Sequence, residues 1–222
     1  MGQLLTANSA TNLYWLGRYI ERINGLLTHL IPAYDKSIDI EINAGKTLYK
    51  NFGIELEYAN SYEFLRKAMF ADHNSNLCAL AEHARENAII CRNYINTEAF
   101  GEIMQLHAML QNAAKSYTEI DYKLIDEALS LISEIWGEIS KLSKSHASDH
   151  FLKLGRLIER LDFHLRFSGE NEHATNITEQ INATLSALAL HEESATAKQI
   201  QISEQENIVE SMHAQVEALI VH

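Results

Sequence analysis

Apolar side chains recur every three or four residues along most of this sequence, which is the spacing of one face of an α-helix. The clearest stripes predict helices over residues 8–31 and 121–142 and, after a polar link at 143–148, from 149 to 167. Weaker stripes predict further helices over 34–51, 61–70, 75–94, 97–117, 174–189 and 194–220. No stretch alternates apolar and polar residues as a half-buried strand does. The pattern predicts an all-α protein, an antiparallel multi-helix bundle of six to nine helices joined by short turns.

The ends of these helices are marked by residues that begin or stop a helix. Asn8 or Ser9 can cap the first helix. We expect Pro32 to end it, because proline cannot donate a main-chain hydrogen bond. Gly169 is a stop signal after the helix at 149–167. The organisation we expect is a helical domain over residues 1–168, with a C-terminal helical extension over 169–222 packed on it.

One seven-residue segment occurs twice, with its copies starting 138 residues apart. Leu16–Arg22 and Leu154–Arg160 differ only at their fourth residue, which is Tyr in the first copy and Leu in the second. A glycine inside a helix costs about 1 kcal/mol relative to alanine, so Gly17 and Gly155 indicate the close approach of another backbone or a ligand. We predict that the two helices are pseudo-symmetric partners near the middle of the bundle.

At 100° per residue, the charged residues of each copy lie opposite its apolar stripe. They are Arg18, Glu21 and Arg22 in the first copy, with Tyr14 on the same side, and Arg156, Glu159 and Arg160 in the second. Arg18 and Glu21 are three residues apart and can pair within one helix. Three interpretations are open: a solvated surface pair worth about 0–1 kcal/mol, a buried Arg–Glu network between helices, or a binding site. The last is open because two guanidiniums beside one carboxylate leave donors for an anion.

Three blocks of the sequence resemble the bacterial alpha-E domain family, which is named for an all-helical domain with a repeated Glu-Arg motif. The blocks are Asn12–Arg22, then Ala84–Ala88 followed by Arg92, and Phe151–Arg160. Their order and spacing agree with the family over about residues 8 to 168. The sequence departs from the family at Ile89-Ile90, where a polar residue or arginine is usual.

The resemblance implies an accessory function. Alpha-E proteins resemble partners of ATP-grasp ligases, with which they are encoded or fused, often beside transglutaminase-like proteases. This implies a non-catalytic subunit of a peptide-ligating or peptide-modifying system, with an ATP-grasp ligase and a peptide substrate as partners. The arginines would donate to a carboxylate or acyl phosphate, and the glutamates would orient them. The candidate binding residues are Tyr14, Arg18, Glu21, Arg22, Arg85, Glu86, Arg156, Glu159 and Arg160.

Two other functions remain open. The first is a structural interaction module whose Arg–Glu sets are buried clamps between helices. The second is a free-standing enzyme that uses Glu21 or Glu159 as an acid or base, which requires a concave, partly buried site. We place the accessory subunit first, the structural module second and the enzyme third.

Composition and charge argue against several classes of protein. The formal charge of −12 disfavours nucleic-acid binding, which takes most of its affinity from a basic surface. Cys78 and Cys91 would lie about 20 Å apart in one helix, too far for a disulfide, and reduced thiols are typical of a cytoplasmic protein. No signal-like segment and no run of about 18 apolar residues occurs, so we expect neither export nor membrane spanning.

Metal and nucleotide sites have little support in the sequence. Glu170-x-x-His173 and Glu210-x-x-His213 have the ligand spacing of bundle di-iron sites, but neither pair falls on an inward-facing stripe. His146 and His150 lack the further ligands that zinc needs. No Gly-rich phosphate loop is present. We expect no metal ligands and no bound cofactor; the substrate and the oligomeric state, a homo-oligomer included, stay open.

Overall fold

The computed structural model describes residues 5–116, 120–141, 147–168, 172–191 and 208–220. Within these ranges the chain forms nine α-helices and one 3-10 turn, and it contains no strand. The helices are α1 (Ala7–Asp39), α2 (Ala44–Lys50), α3 (Ser61–Phe70), α4 (Leu77–Ile90), α5 (Thr97–Lys115), α6 (Tyr122–Ser140), α7 (Ala147–Ser168), α8 (Glu172–His191) and α9 (Ile208–Ile220), and the 3-10 turn is Arg92–Tyr94. The predicted all-α bundle is confirmed.

The long helix α1 is the centre of the bundle, because α2, α3, α4, α6, α7 and α9 all pack against it. The consecutive helices α4 and α5 run antiparallel, as do α5 and α6, in agreement with the prediction. Cys78 at the start of α4 contacts the carbonyl oxygen of Leu110 near the end of α5, and Asn96 at the start of α5 donates from Nδ2 to the carbonyl oxygen of Glu138 near the end of α6 at 3.1 Å. Among the described helices, none is long and apolar enough to cross a membrane.

The first helix continues through Pro32 to Asp39, so the prediction that proline ends it is wrong. A proline inside a helix costs about 3 kcal/mol through the lost hydrogen bond and the steric clash. Beyond it, Tyr34 is 4% exposed and its ring packs against Phe64. Burial of this last part of α1 offsets the cost of the proline. The helix predicted over 34–51 is therefore shortened to α2, and Gly53, with φ +70°, lies in the turn that follows it.

Several helices begin at a residue whose side-chain oxygen caps the first turn, as expected for Ser, Thr, Asn and Asp. The first helix is capped by Thr6, not by Asn8 or Ser9, and its hydroxyl oxygen accepts from the Ser9 amide at 3.1 Å. Side-chain oxygens also cap α3 to α6, from Asn60, Asn76, Asn96 and Asp121. The helix predicted over 75–94 is α4 followed by the 3-10 turn. Gly169, the predicted ends at residues 117 and 142, and the predicted helical residues 194–207 lie outside the described residues.

The C-terminal helices contact the rest of the bundle. Helix α8 packs on α7, and α9 packs on α1, α7 and α8. The division of the chain at residue 168 stays a prediction.

Candidate functional site

The two copies of the duplicated segment lie side by side on α1 and α7. As the contacts advance along α1 from Arg18 to His29, their partners advance along α7 from Glu159 to Phe167. The two helices therefore run in the same direction, unlike the antiparallel neighbours in the bundle. Short turns impose antiparallel packing on helices that follow one another, but five helices separate α1 from α7 in the sequence.

Two glycines let the backbones of these helices touch. A Cβ atom at Gly17 would overlap the carbonyl oxygen of Leu152, and a Cβ at Gly155 would overlap the carbonyl oxygen of Tyr14. Each carbonyl belongs to the residue three positions before the other glycine, so a pseudo-two-fold axis relates the two halves. The close backbone approach predicted at these glycines is confirmed, and Cα–H contacts to carbonyl oxygens are common at such interfaces.

The first half of the charged cluster surrounds Glu159. Arg18 Nε donates to Glu159 Oε2 at 2.8 Å, and Arg22 Nη1 donates to Oε1 at 3.2 Å. The Glu159 side chain is 1% exposed, so its carboxylate is fully buried between the helices. Two guanidiniums from α1 thus hold one carboxylate from α7.

The second half is the same arrangement with the helices exchanged. Arg156 Nε donates to Glu21 Oε2 at 3.2 Å, and Arg160 Nε lies 3.8 Å from Glu21 Oε1. Glu21 is 5% exposed, whereas both arginines reach solvent. The interpretation as solvated surface pairs is wrong, because both carboxylates are buried. The pairing predicted within one helix is also absent from the described contacts of Glu21, whose arginine partners come from α7.

The arginines of the two halves differ in the direction of their pKa shifts. Burial raises the pKa of the Glu21 carboxyl, and Arg156 and Arg160 oppose only part of that effect. Burial also lowers the pKa of Arg156, which Glu21 offsets only in part. For Arg18, burial acts to lower the pKa of the guanidinium, but Glu159 and Tyr14 together raise it above its ordinary value. Burial therefore outweighs the carboxylate partner at Arg156, whereas the partners outweigh burial at Arg18.

Tyr14, a predicted binding residue, is buried and contacts both the charged cluster and α9. Arg18 Nη1 donates to its hydroxyl oxygen at 3.4 Å, and His213 Nδ1 of α9 lies 3.1 Å from the same oxygen. His213 Nε2 lies 3.2 Å from Glu217, so the histidine is engaged on both sides. Burial raises the pKa of Tyr14, and Arg18 partly opposes this. These contacts tie α9 to the charged cluster.

A cleft of about 390 Å³, which we call the Arg22 cleft, opens beside the Glu159 half. The rings of Trp15 and Tyr19 stack at 5.6 Å along one wall, and His83 of α4 continues that wall 5.2 Å from Tyr19. Arg18, Arg22, His73, Asn74 and Glu159 also line it. Its volume falls within the range of small-molecule sites. The cleft combines cationic donors with an aromatic wall.

Sequence reasoning missed part of this cleft. Aromatic residues in helices more often belong to the core, but the structure leaves Trp15 and Tyr19 only partly buried where they line the cleft. His73 and Asn74 lie in a turn, and His83 is on another helix. These three residues share no spacing with the duplicated segment, so no local signal could have found them.

Arg85 and Glu86, which the resemblance added to the site, do not join the cluster in the described contacts. Arg85 Nη1 lies 3.0 Å from Glu82 on the same helix, and Glu82 also contacts His107 of α5 at 2.5 Å. Glu86 is exposed and lies 3.9 Å from His83. The block Ala84–Ala88 contributes to the site through the position of α4, which carries His83 into the cleft.

Metal ligation receives no support from the described residues, where no group of three or more His, Cys, Asp or Glu side chains could hold an ion. Glu170 and His146 lie outside the described ranges. Cys78 and Cys91 are free thiols.

The comparison with protein families decides which family the chain represents. The family described as a predicted alpha-helical domain with a conserved ER motif, Alpha-E, matches residues 5–203. The chain belongs to the Alpha-E family. In this Alpha-E chain the Glu-Arg dipeptide occurs twice, at 21–22 and 159–160, and both copies supply the reciprocal pairs between α1 and α7. The match continues past residue 168 into α8. No curated protein and no solved structure matches the chain.

Proposed function

We propose that this Alpha-E chain is an accessory subunit of an ATP-grasp-type peptide ligase or peptide-modification system. In this proposal the Arg22 cleft binds a carboxylate group of the peptide substrate, and the nucleotide chemistry belongs to the ligase. The association with a ligase is supported by the resemblance of the three sequence blocks to partners of ATP-grasp ligases. The binding role is supported by the geometry of the charged cluster.

Arg22 is the residue that carries the proposal. Its hydrogen bond to Glu159 uses one of the five N–H donors of a guanidinium, and its side chain is 23% exposed where it lines the cleft. A planar guanidinium binds carboxylates through paired hydrogen bonds. Glu159 fixes the position of Arg22, and the remaining N–H groups of Arg22 can donate to a ligand.

The charge of the chain as a whole strengthens this assignment. At a formal charge of −12, most of the surface repels an anionic peptide. The cluster is an exception, since four guanidiniums face two carboxylates in it. The stacked rings of Trp15 and Tyr19 give an apolar surface for the rest of the peptide.

The test is co-purification with an ATP-grasp ligase from the same genome, followed by ligase turnover with and without the chain. We expect a complex and a rise in turnover, and at least a tenfold loss of that rise with Arg22→Ala. Arg85→Ala is the matched control, because Arg85 pairs with Glu82 and lies outside the lining of the cleft. Absence of a complex together with unchanged turnover would contradict the proposal.

A structural module is the second candidate function, and the burial of Glu21 and Glu159 between two helices favours it. In that case the Arg–Glu sets only lock α1 to α7, and binding occurs elsewhere. Arg22→Ala would then leave ligase turnover unchanged in a folded protein. The enzyme interpretation has less support, because each carboxylate is already engaged by two guanidiniums.

A further inference from the structure

A second cavity, of about 310 Å³, lies between α6 and α7 beside Arg156. We call it the Trp136 cavity. It is lined by Trp136, Ile139, Asp149, Leu152, Lys153 and Arg156, among others. It shares none of these residues with the Arg22 cleft, although Arg156 also belongs to the charged cluster through its pair with Glu21.

The indole N–H of Trp136 lacks an acceptor. Trp136 is 8% exposed, and its Nε1 atom has no hydrogen-bond partner in the described part of the chain. Buried polar groups in folded proteins are almost always hydrogen-bonded, so a buried, unpartnered N–H on a residue that lines a cavity indicates a missing acceptor. A carboxylate oxygen is such an acceptor.

The Arg156 guanidinium lies over the same indole, 4.2 Å from the ring centroid. Its Nε donates to Glu21, and its terminal nitrogens are not needed for that bond. Burial and the neighbouring Arg160 lower the pKa of Arg156, and an anion added beside the guanidinium would oppose that effect. Lys153 is a second, exposed cation, and Asp149 is the one acid among the described lining residues.

Most of the remaining wall is apolar, although Ser140 and His150 also line the cavity. Leu152 is almost fully buried, Ile139 is partly buried, and the Trp136 ring adds a flat surface. A ligand that satisfies both parts of the wall has a carboxylate at one end and an aliphatic body at the other. A cavity of this volume admits an acid of the size of one amino acid.

We propose that the Trp136 cavity is a second binding site, for a small aliphatic carboxylate. Arg156 and the Trp136 indole N–H donate to the carboxylate, and Ile139 and Leu152 contact the aliphatic body. A free amino acid and a simple branched acid share this chemistry. A contact between an ammonium group and Asp149 would distinguish the two.

The experiment is isothermal titration calorimetry of the full chain with L-leucine, 4-methylpentanoate and isopentylamine. We expect at least one of the two carboxylates to bind and the amine, which lacks a carboxylate, to give no binding. Tighter binding of leucine identifies an amino-acid site, and equal or tighter binding of 4-methylpentanoate identifies a site for simple acids.

Variants that keep the Arg–Glu pairs between α1 and α7 test the assigned contacts. Trp136→Phe keeps the ring and removes the N–H, and we expect about tenfold weaker binding, the usual effect of losing a hydrogen bond to a charged group. Ile139→Trp fills the cavity and should abolish binding. Trp15→Phe is the matched control in the other cleft and should leave the affinity unchanged, with circular dichroism confirming the fold of each variant.

Three results would overturn the proposal. They are absence of binding for both carboxylates, equal binding of isopentylamine, and an affinity that Trp136→Phe and Ile139→Trp leave unchanged.

Discussion

Gly17 and Gly155 make the same contact from opposite sides, since each lies against the carbonyl oxygen three residues before the other. This contact sets the distance between α1 and α7. At that distance the guanidiniums of one helix reach the glutamate of the other, as in the 2.8 Å bond from Arg18 to Glu159. The glycines and the charged pairs are therefore one structural unit, and changes to either should affect the other.

Replacing either glycine tests that unit. We expect Gly17→Ala or Gly155→Ala to lower the free energy of unfolding by about 1–3 kcal/mol, because the new methyl group meets backbone that cannot rotate away. Gly101→Ala and Gly137→Ala are matched controls inside helices α5 and α6, where an added Cβ has open space. Those controls should be neutral or stabilising by up to about 1 kcal/mol. Urea unfolding measures all four, and equal effects would contradict the close packing.

Removing one buried carboxylate should be costly. We expect Glu159→Ala to destabilise the fold by about 3–5 kcal/mol, since it leaves Arg18 and Arg22 without their anion. Glu127→Ala is the control, because Glu127 pairs with Lys123 on the exposed face of α6 and its loss should be nearly neutral. Thermal and urea unfolding compare the two, and similar losses would show that the buried pairs behave like surface pairs.

The raised pKa of Glu21 predicts a pH dependence. The folded state binds the proton of Glu21 more tightly than the unfolded chain, whose pKa stays near 4.5. The stability that this contributes is complete below the unfolded pKa and is lost as pH rises through the folded pKa. We expect the stability of the wild type relative to Glu21→Gln to fall as pH rises from about 4 towards neutrality. Urea unfolding at several pH values measures this difference, and a rise with pH would mean that the arginines outweigh burial.

The two thiols should differ in reactivity. Burial raises the pKa of Cys91 to about 12, and its side chain is fully buried. Cys78 is only partly buried, although burial also raises its pKa. We expect a disulfide reagent at pH 8 to modify Cys78 first and Cys91 only after unfolding, since the thiolate is the reactive form. Cys78→Ser should abolish the fast phase and Cys91→Ser should retain it; equal rates in the native protein would contradict the burial.

The link between Tyr14 and His213 should stabilise the position of α9. Tyr14→Phe removes the hydroxyl that contacts both Arg18 and His213, and we expect a loss of about 0.5–1.5 kcal/mol. Tyr62→Phe is the control, because Tyr62 is largely exposed. Hydrogen exchange of the α9 amides should be faster in Tyr14→Phe than in the control, and unchanged exchange would show that other contacts hold the helix.

Much of the fold could be predicted because its signals are local. The stripes of α6 and α7 are set by neighbours a few residues apart. The cap of the first helix was predicted at Asn8 or Ser9, close to the observed Thr6. The continuation of α1 through Pro32 could not be predicted, because it depends on burial of Tyr34 against Phe64 on a distant helix.

The sequence indicated the residues of the charged cluster, but neither their pairing nor the rest of the Arg22 cleft. The repeat identified Glu21 and Glu159 and the arginines around them, because duplicated sequence is visible without a structure. It could not show that each glutamate pairs with arginines of the other copy, since spacing within one helix favours the local partner. The histidines and Asn74 of the Arg22 cleft come from separate elements that only tertiary packing brings together.

The parallel pairing of α1 with α7 also affects the order in which the chain can fold. Synthesis proceeds at roughly 5–20 residues per second, so α1 precedes its partner by on the order of ten seconds. Throughout that interval a nascent chain exposes the face of α1 that α7 later covers, and Glu21 lacks its arginine partners. Contacts between such distant segments also form slowly. Burial of this face of α1 is therefore complete only after residue 160 has been synthesised.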